Sequence, residues 1–159
     1  MKSILFFAII IFSTTSLFGQ NYNEIIFENT FINNVPLGAS KIDVIRCFGK
    51  PQKIVKDKDV SEDGRWSNYF YKNSIIMISA ENTFRGFTII DSSFIISYNE
   101  IDIKIGDDLS KLQKYFPQSY NMQVLHGGNF QLSFKNKDSF IVLILKNCII
   151  TEMQTWENI

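Results

Sequence analysis

The stretch Val35-Pro36-Leu37-Gly38-Ala39-Ser40-Lys41-Ile42-Asp43-Val44-Ile45-Arg46-Cys47-Phe48 returns later in the chain as Ile103-Lys104-Ile105-Gly106-Asp107-Asp108-Leu109-Ser110-Lys111-Leu112-Gln113-Lys114-Tyr115-Phe116. A constant offset of 68 residues relates Gly38 to Gly106, Val44 to Leu112 and Phe48 to Phe116. This reads as a tandem duplication, residues 23–90 followed by 91–158. Such a repeat constrains architecture, because each copy must bury its apolar face against its own elements or against its twin. It constrains chemistry hardly at all.

Working outward, each copy opens with an extended segment rich in Ile and Phe, Glu24 to Asn33 in the first and Ser92 to Ile101 in the second. Ser40 and either Asp107 or Asp108 then offer a side-chain oxygen to free backbone N–H groups, as an N-cap does. Ile42, Val44, Ile45 and Phe48, and likewise Leu109, Leu112 and Phe116, recur at three- and four-residue spacing, which predicts a short helix with one buried face in each copy. Gly49-Lys50-Pro51 ends the first helix and Pro117 the second. Three β-rich runs follow in each copy: Trp66 to Lys72, Ile75 to Ala80 and Phe84 to Asp91, then Asn129 to Lys135, Phe140 to Leu145 and Ile149 to Trp156. Phe70-Tyr71-Lys72-Asn73 aligns with Ser133-Phe134-Lys135-Asn136 at an offset of 63, which places a shorter loop in the second copy. The expected fold is α+β: two tandem repeats, each a short helical segment packed on an antiparallel meander. No Pro/Gly/Ser linker falls near Asp91, so the halves are expected to pack as one body.

Ahead of this lies an export signal. Met1-Lys2-Ser3 gives a basic start, Ile4 to Phe12 an unbroken apolar run, and Ser13 to Gly19 a descent into small and polar residues. The run is about half of the roughly 20 residues a spanning helix needs, so stable membrane insertion after signal removal is not expected. Residues 1–19 are read as a signal peptide, with a cut after Ser16 as the alternative, and the mature chain as periplasmic or extracellular. No cysteine lies near the cut for a lipid anchor. Equal numbers of basic and acidic residues, 16 of each, give no electrostatic reason to expect nucleic acid or an anionic membrane surface as partner. With 45% hydrophobic residues the chain has the composition of a folded globular domain.

A strand leading into Leu37-Gly38-Ala39-Ser40, a short helix, Phe48-Gly49-Lys50-Pro51 and then a three-stranded meander resemble the unit of the small outer-membrane assembly lipoprotein family and of β-lactamase inhibitor proteins. The matching residues are Gly38, Phe48, Gly49 and Pro51 in the first copy and Gly106 and Phe116 in the second. The second copy has Pro117-Gln118-Ser119 in place of the glycine-proline pair. For the inhibitor family the resemblance implies two tandem copies and binding of an enzyme by the sheet face.

Candidate chemistry is sparse. His126 is the lone histidine and, beside Gly127-Gly128, reads as a loop residue. A zinc site lacks ligands, no cofactor is expected, and a hydrolase centred on His126 would need a carboxylate within hydrogen-bond reach. Asp59-Val60-Ser61-Glu62-Asp63-Gly64 spaces oxygens as the start of a calcium loop does, but Phe70 stands where the bidentate acid belongs. Cys47 and Cys148 would close a loop of about 100 residues if bridged, for about 4.7 kcal/mol in the chain-entropy model; the alternative is two small buried apolar residues. The aromatic side chains are the better lead. Strand alternation puts Tyr69 and Tyr71 on one face of their strand, and with Trp156 they are the expected contact residues for a protein partner. The function expected is protein binding without catalysis, with an immunity or inhibitor protein against an exported toxin or hydrolase as the alternative.

Overall fold

The computed structural model describes residues 22–56 and 66–157. The signal segment and the acidic run 59–64 lie outside the described residues. The chain is α+β and mostly sheet: strands β1 (Glu24–Ile25), β2 (Thr30–Ile32) and β3 (Val35–Pro36), helix α1 (Lys41–Phe48), β4 (Lys53–Lys56), β5 (Ser67–Tyr71), β6 (Ser74–Ile78), β7 (Phe84–Ile89), β8 (Ile95–Tyr98), β9 (Ile101–Lys104), helix α2 (Pro117–His126), β10 (Phe130–Phe134), β11 (Ser139–Lys146) and β12 (Ile149–Glu157). Among the described residues these strands form an eight-stranded sheet in the order β1-β10-β11-β12-β7-β6-β5-β4 and a four-stranded sheet in the order β3-β2-β8-β9.

The two opening segments are not single extended runs. A 3-10 turn, Phe27–Asn29, separates β1 from β2, and Asn33 and Asn34, at φ 46 and 69, then fold β2 back onto β3. Asn99 at φ 50 does the same between β8 and β9. Asparagine tolerates the left-handed region that two-residue hairpin turns demand, so each apolar run doubles back instead of continuing.

Helix α1 starts where expected. Ser40 accepts the Asp43 N–H at 3.2 Å, Asp43 pairs with Arg46 at 2.9 Å, and Gly49 at φ +81 ends the helix. Val44 is buried and Ile45 and Phe48 pack on the core, but Ile42 is 68% exposed, so the buried stripe is narrower than the spacing implied. The corresponding later stretch differs more. Asp108 caps a 3-10 turn, Leu109–Leu112, and not a full helix. Pro117 does not close a helix but opens α2, because the missing N–H of proline is unneeded at a first helical position and its fixed φ suits it.

Both glycine turns are tied to a later strand in the same way. Gly38 N–H donates to the Phe84 carbonyl at 2.7 Å and Lys41 N–H to that of Asn82 at 2.8 Å; Gly106 N–H donates to Ile150 at 2.8 Å and Leu109 N–H to Cys148 at 2.8 Å. The meanders β5-β6-β7 and β10-β11-β12 then join through β7 and β12, with Thr88 opposite Gln154 and Ile89 opposite Met153. On the smaller sheet β2 and β8 meet with Ile32 opposite Ile96. The passage between the halves is short and anchored: Ser74, fully buried, accepts the N–H groups of Ile90 and Asp91 at 3.2 Å each, and Lys72 pairs with Asp91 at 3.1 Å.

One core cluster lies between the two sheets and under the helices. It holds Ile32, Val44, Tyr69, Ile76, Phe84, Phe87, Leu112, Phe116, Phe130 and Leu143, with contributions from both halves of the chain. Strand β4 was not foreseen; its four side chains are all exposed, so no burial pattern announces it.

Candidate functional site

The three proposed contact residues do not share a face. Tyr69 and Tyr71 do lie on the same side of β5, but that side is the core: they are 2% and 7% exposed. Trp156 is 53% exposed and stands opposite Phe140. The contact set Tyr69, Tyr71 and Trp156 is therefore corrected by parity. The side of β5 that looks outward carries Asn68 and Phe70, and a shift of one residue exchanges every side chain between the faces. The signal that decides it is in the later, similar stretch. At the offset of 63, Tyr69 and Tyr71 align with Leu132 and Phe134, and Phe70 with Ser133. Strand β10, Phe130-Gln131-Leu132-Ser133-Phe134, is unambiguous about which set is buried.

Register extends the outward face across the sheet. Phe70 faces Ile75, Ile75 faces Thr88, Thr88 faces Gln154, and Gln154 faces Val142, so one row of side chains crosses five strands. Trp156, two residues along from Gln154, shares this face with its partner Phe140. Phe70, Ile75, Met77, Phe140 and Val142 are all absent from the core cluster. Among the described residues neither helix covers them, since Phe48 of α1 packs on Tyr71 and Phe84, and Phe116 before α2 packs on Phe130. A sheet with one solvated face normally alternates apolar inside with polar outside; this sheet keeps large apolar side chains on both.

Tyr69 and Tyr71 end in separate clefts. Tyr71 reaches a cleft of about 340 Å³ beside Cys47, Phe48, Lys50, Gln52 and Phe94, where its hydroxyl donates to the Gly49 carbonyl at 3.1 Å. Burial first, and then neighbouring Tyr69, push the Tyr71 phenol from 10.0 up to about 12. The folded value exceeds the unfolded one, so the stability linked to this group is fully present below pH 10 and is lost as pH rises toward 12. In an ultraviolet titration Tyr71 is expected to ionise late, together with alkaline unfolding. In Tyr71→Phe that late step should vanish; its persistence would assign it to another ring.

Other candidates carry little chemistry. His126 is the last residue of α2 and not a loop residue; it is exposed, and its ring makes no hydrogen bond or ion pair with any described residue. The carboxylate partner that a hydrolase centred on His126 requires is thus missing among the described residues. Cys47 and Cys148 are free and both exposed, which corrects the bridged reading and the buried one alike. Cys47 donates to the Asn33 carbonyl at 3.2 Å. Cys148 does not open a strand but stands in the turn before β12, at φ 62 after Asn147 at φ 53. The described residues hold no group of three or more His, Cys, Asp or Glu suited to a metal ion.

No family model matches the chain, and no curated protein sequence matches it. Among solved structures it is similar to an extracellular protein containing an SCP domain from Bacillus anthracis, with a TM-score of 0.45 and 8% identity over 77% of this chain and 44% of that one. The chain spans less than half the length of that protein.

Proposed function

We propose that this chain is an exported protein-binding module built from two copies of one unit, residues 23–90 and 91–158, and that it meets its protein partner with the outer face of the long sheet. The duplication reading rests on the recurrent sequence and on the like hydrogen bonds of Gly38 and Gly106 to Phe84 and Ile150. Export rests on the basic start and apolar run of residues 1–19. The observation that carries the binding reading is the apolar and aromatic set Phe70, Ile75, Met77, Phe140 and Trp156, on a face separate from the core. The set forms two apolar clusters, Phe70, Ile75 and Met77 on one side and Phe140 and Trp156 on the other, with Thr88 and Gln154 between them; apolar side chains grouped on a sheet's outer face are a usual mark of an interaction surface, and exposed tryptophan is enriched among residues that dominate binding energy.

The test uses the mature chain to retain proteins from its own envelope fraction; capture alone decides nothing. Each retained protein is purified and its Kd measured against wild type and against Phe70→Ser combined with Trp156→Ser. A loss of at least about tenfold, equivalent to 1.4 kcal/mol, is expected, with the thermal midpoint held. An unchanged Kd would remove the outer face from the function. Loss of a retained hydrolase's activity in the complex would select the inhibitor form of the same reading.

A further inference from the structure

Strand β4 is one edge of the long sheet, and Lys53, Ile54, Val55 and Lys56 are all exposed, with Ile54 at 50%. An edge of this kind presents unpaired N–H and C=O groups to another strand. Its side chains carry charge at both ends and apolar surface in the middle. Ile54 and Lys56 pair with Tyr69 and Ser67, so they lie on the core side of the strand. There they line a cleft of about 370 Å³ together with Lys41, Tyr69 and Asn82.

Among the described residues this cleft is cationic: two lysines line it and no carboxylate does. Lys41, at the first turn of α1, holds its Nζ 5.8 Å from the centre of the Tyr69 ring. Neither Lys41 nor Lys56 forms an ion pair with any described residue. The nearby carboxyl of Glu81 is held below its usual range first by Ser79, with Arg85 also contributing, and by neither lysine. The Tyr69 ring is buried and lines the same cleft, and its hydroxyl has no hydrogen-bond partner among the described residues. Two lysines and a tyrosine lining one space offer the charged and hydroxyl donors that a carboxylate takes.

We propose that β4 is a docking edge for an extended acidic and apolar segment of another protein, which adds as a new edge strand. One carboxylate sits at Lys56 and Lys41, two apolar side chains lie against Ile54 and Val55, and a second acid meets Lys53. A second copy of this chain does not fit, because fully paired β4 edges set lysine against lysine at both ends in either direction, and like charges directly opposite are destabilising. The proposal does not rest on the outer-face reading, since the carboxylate site at Lys41 and Lys56 lies on the core side, although Lys53 and Val55 share the outer side of β4 with Phe70.

The experiment titrates the full mature chain with a capped peptide carrying Glu-Val-Ile-Glu and with its Lys-Val-Ile-Lys counterpart, and follows amide exchange in residues 53–56. The acidic peptide should bind saturably, protect those amides and weaken as salt is raised, while the basic peptide should not bind. Lys41→Gln and Lys56→Gln should each weaken binding about tenfold, and Tyr69→Phe about threefold, at unchanged thermal midpoint. Trp156→Ser should leave the peptide affinity intact. Failure of the acidic peptide to bind, equal binding of the basic one, or indifference to both lysine variants would overturn the proposal. Self-association of Lys53→Val with Lys56→Val in a chain that binds no peptide would reduce the lysines to edge protection alone.

Discussion

Phe116→Ala is expected to lower the free energy of unfolding by about 3–5 kcal/mol, and Phe48→Ala by less, although the two stand 68 residues apart at matching places in the recurrent sequence. Phe116 is 4% exposed and packs between Tyr98 and Phe130, each at 6.3 Å between ring centres. Its N–H donates to the Leu112 carbonyl at 2.8 Å and its carbonyl accepts from Tyr120 at 2.9 Å, so it also joins the 3-10 turn to α2. Removing the ring leaves a cavity at a joint fixed from both sides, where little can relax to fill it. Phe48 meets Tyr71, Phe84 and Phe94 edge-on at 5.8, 6.4 and 5.5 Å but is only half-buried. Part of its surface is already in the solvent of the cleft beside Tyr71, and truncation there opens to water. Urea denaturation of both variants measures the order directly. Equal losses, or a larger one for Phe48, would show that burial of the ring is not what ranks them.

The seam between the two meanders yields the second large effect. A methyl group at Gly86 would stand 2.5 Å from Thr155 Oγ1 and 3.3 Å from Met77 Sδ. Thr155 cannot simply rotate away, because its Oγ1 accepts the Phe87 N–H at 2.9 Å and donates to the Phe87 carbonyl at 3.4 Å. Gly86→Ala therefore combines overpacking with loss of a tie between β7 and β12, for about 1–3 kcal/mol. Thr155→Ala makes room for the methyl group at the cost of that tie, so the double variant should be less destabilised than the two single losses predict. A coupling of at least about 0.5 kcal/mol is expected from the double-mutant cycle. Simple additivity would mean that β7 gives way elsewhere and that Gly86 is not held by its neighbour. Hydrogen exchange should locate the loss in β7 and β12, ahead of the smaller sheet.

Much of the local structure was legible because it depends on residues close in the chain. Ser40 announces the start of α1 through an oxygen three residues from the N–H it accepts, and Gly49 announces its end. The six meander strands fall within a few residues of the β-rich runs, since alternation and turn residues act over the same short range. Pro117 was misread because proline stops one helix and starts another equally well, and the difference lies in whether the preceding turn continues. The Asn33-Asn34 turn was missed inside an apolar run that looks extended on composition alone.

The candidate surfaces were legible only in part. Alternation places Tyr69 and Tyr71 together on one face of β5, and the aligned Leu132 and Phe134 indicate that this face is buried, so the inward set can be read from the sequence once the two similar stretches are compared. Legible in the residues alone is which of them travel together: the members of a strand face, the capped helix, the pair of glycine turns. Which strand lies beside which was decided by the tertiary structure. The pairing of β7 with β12 brings Trp156 onto the same face as Phe70, and the approach of α1 to β5 brings Lys41 over Tyr69 and close to Lys56. The physical reason is range. Caps, turns and alternation are set by dihedral preferences and hydrogen bonds spanning a few residues, whereas neighbours far apart in sequence are chosen by how the whole core closes, and no local pattern encodes that choice.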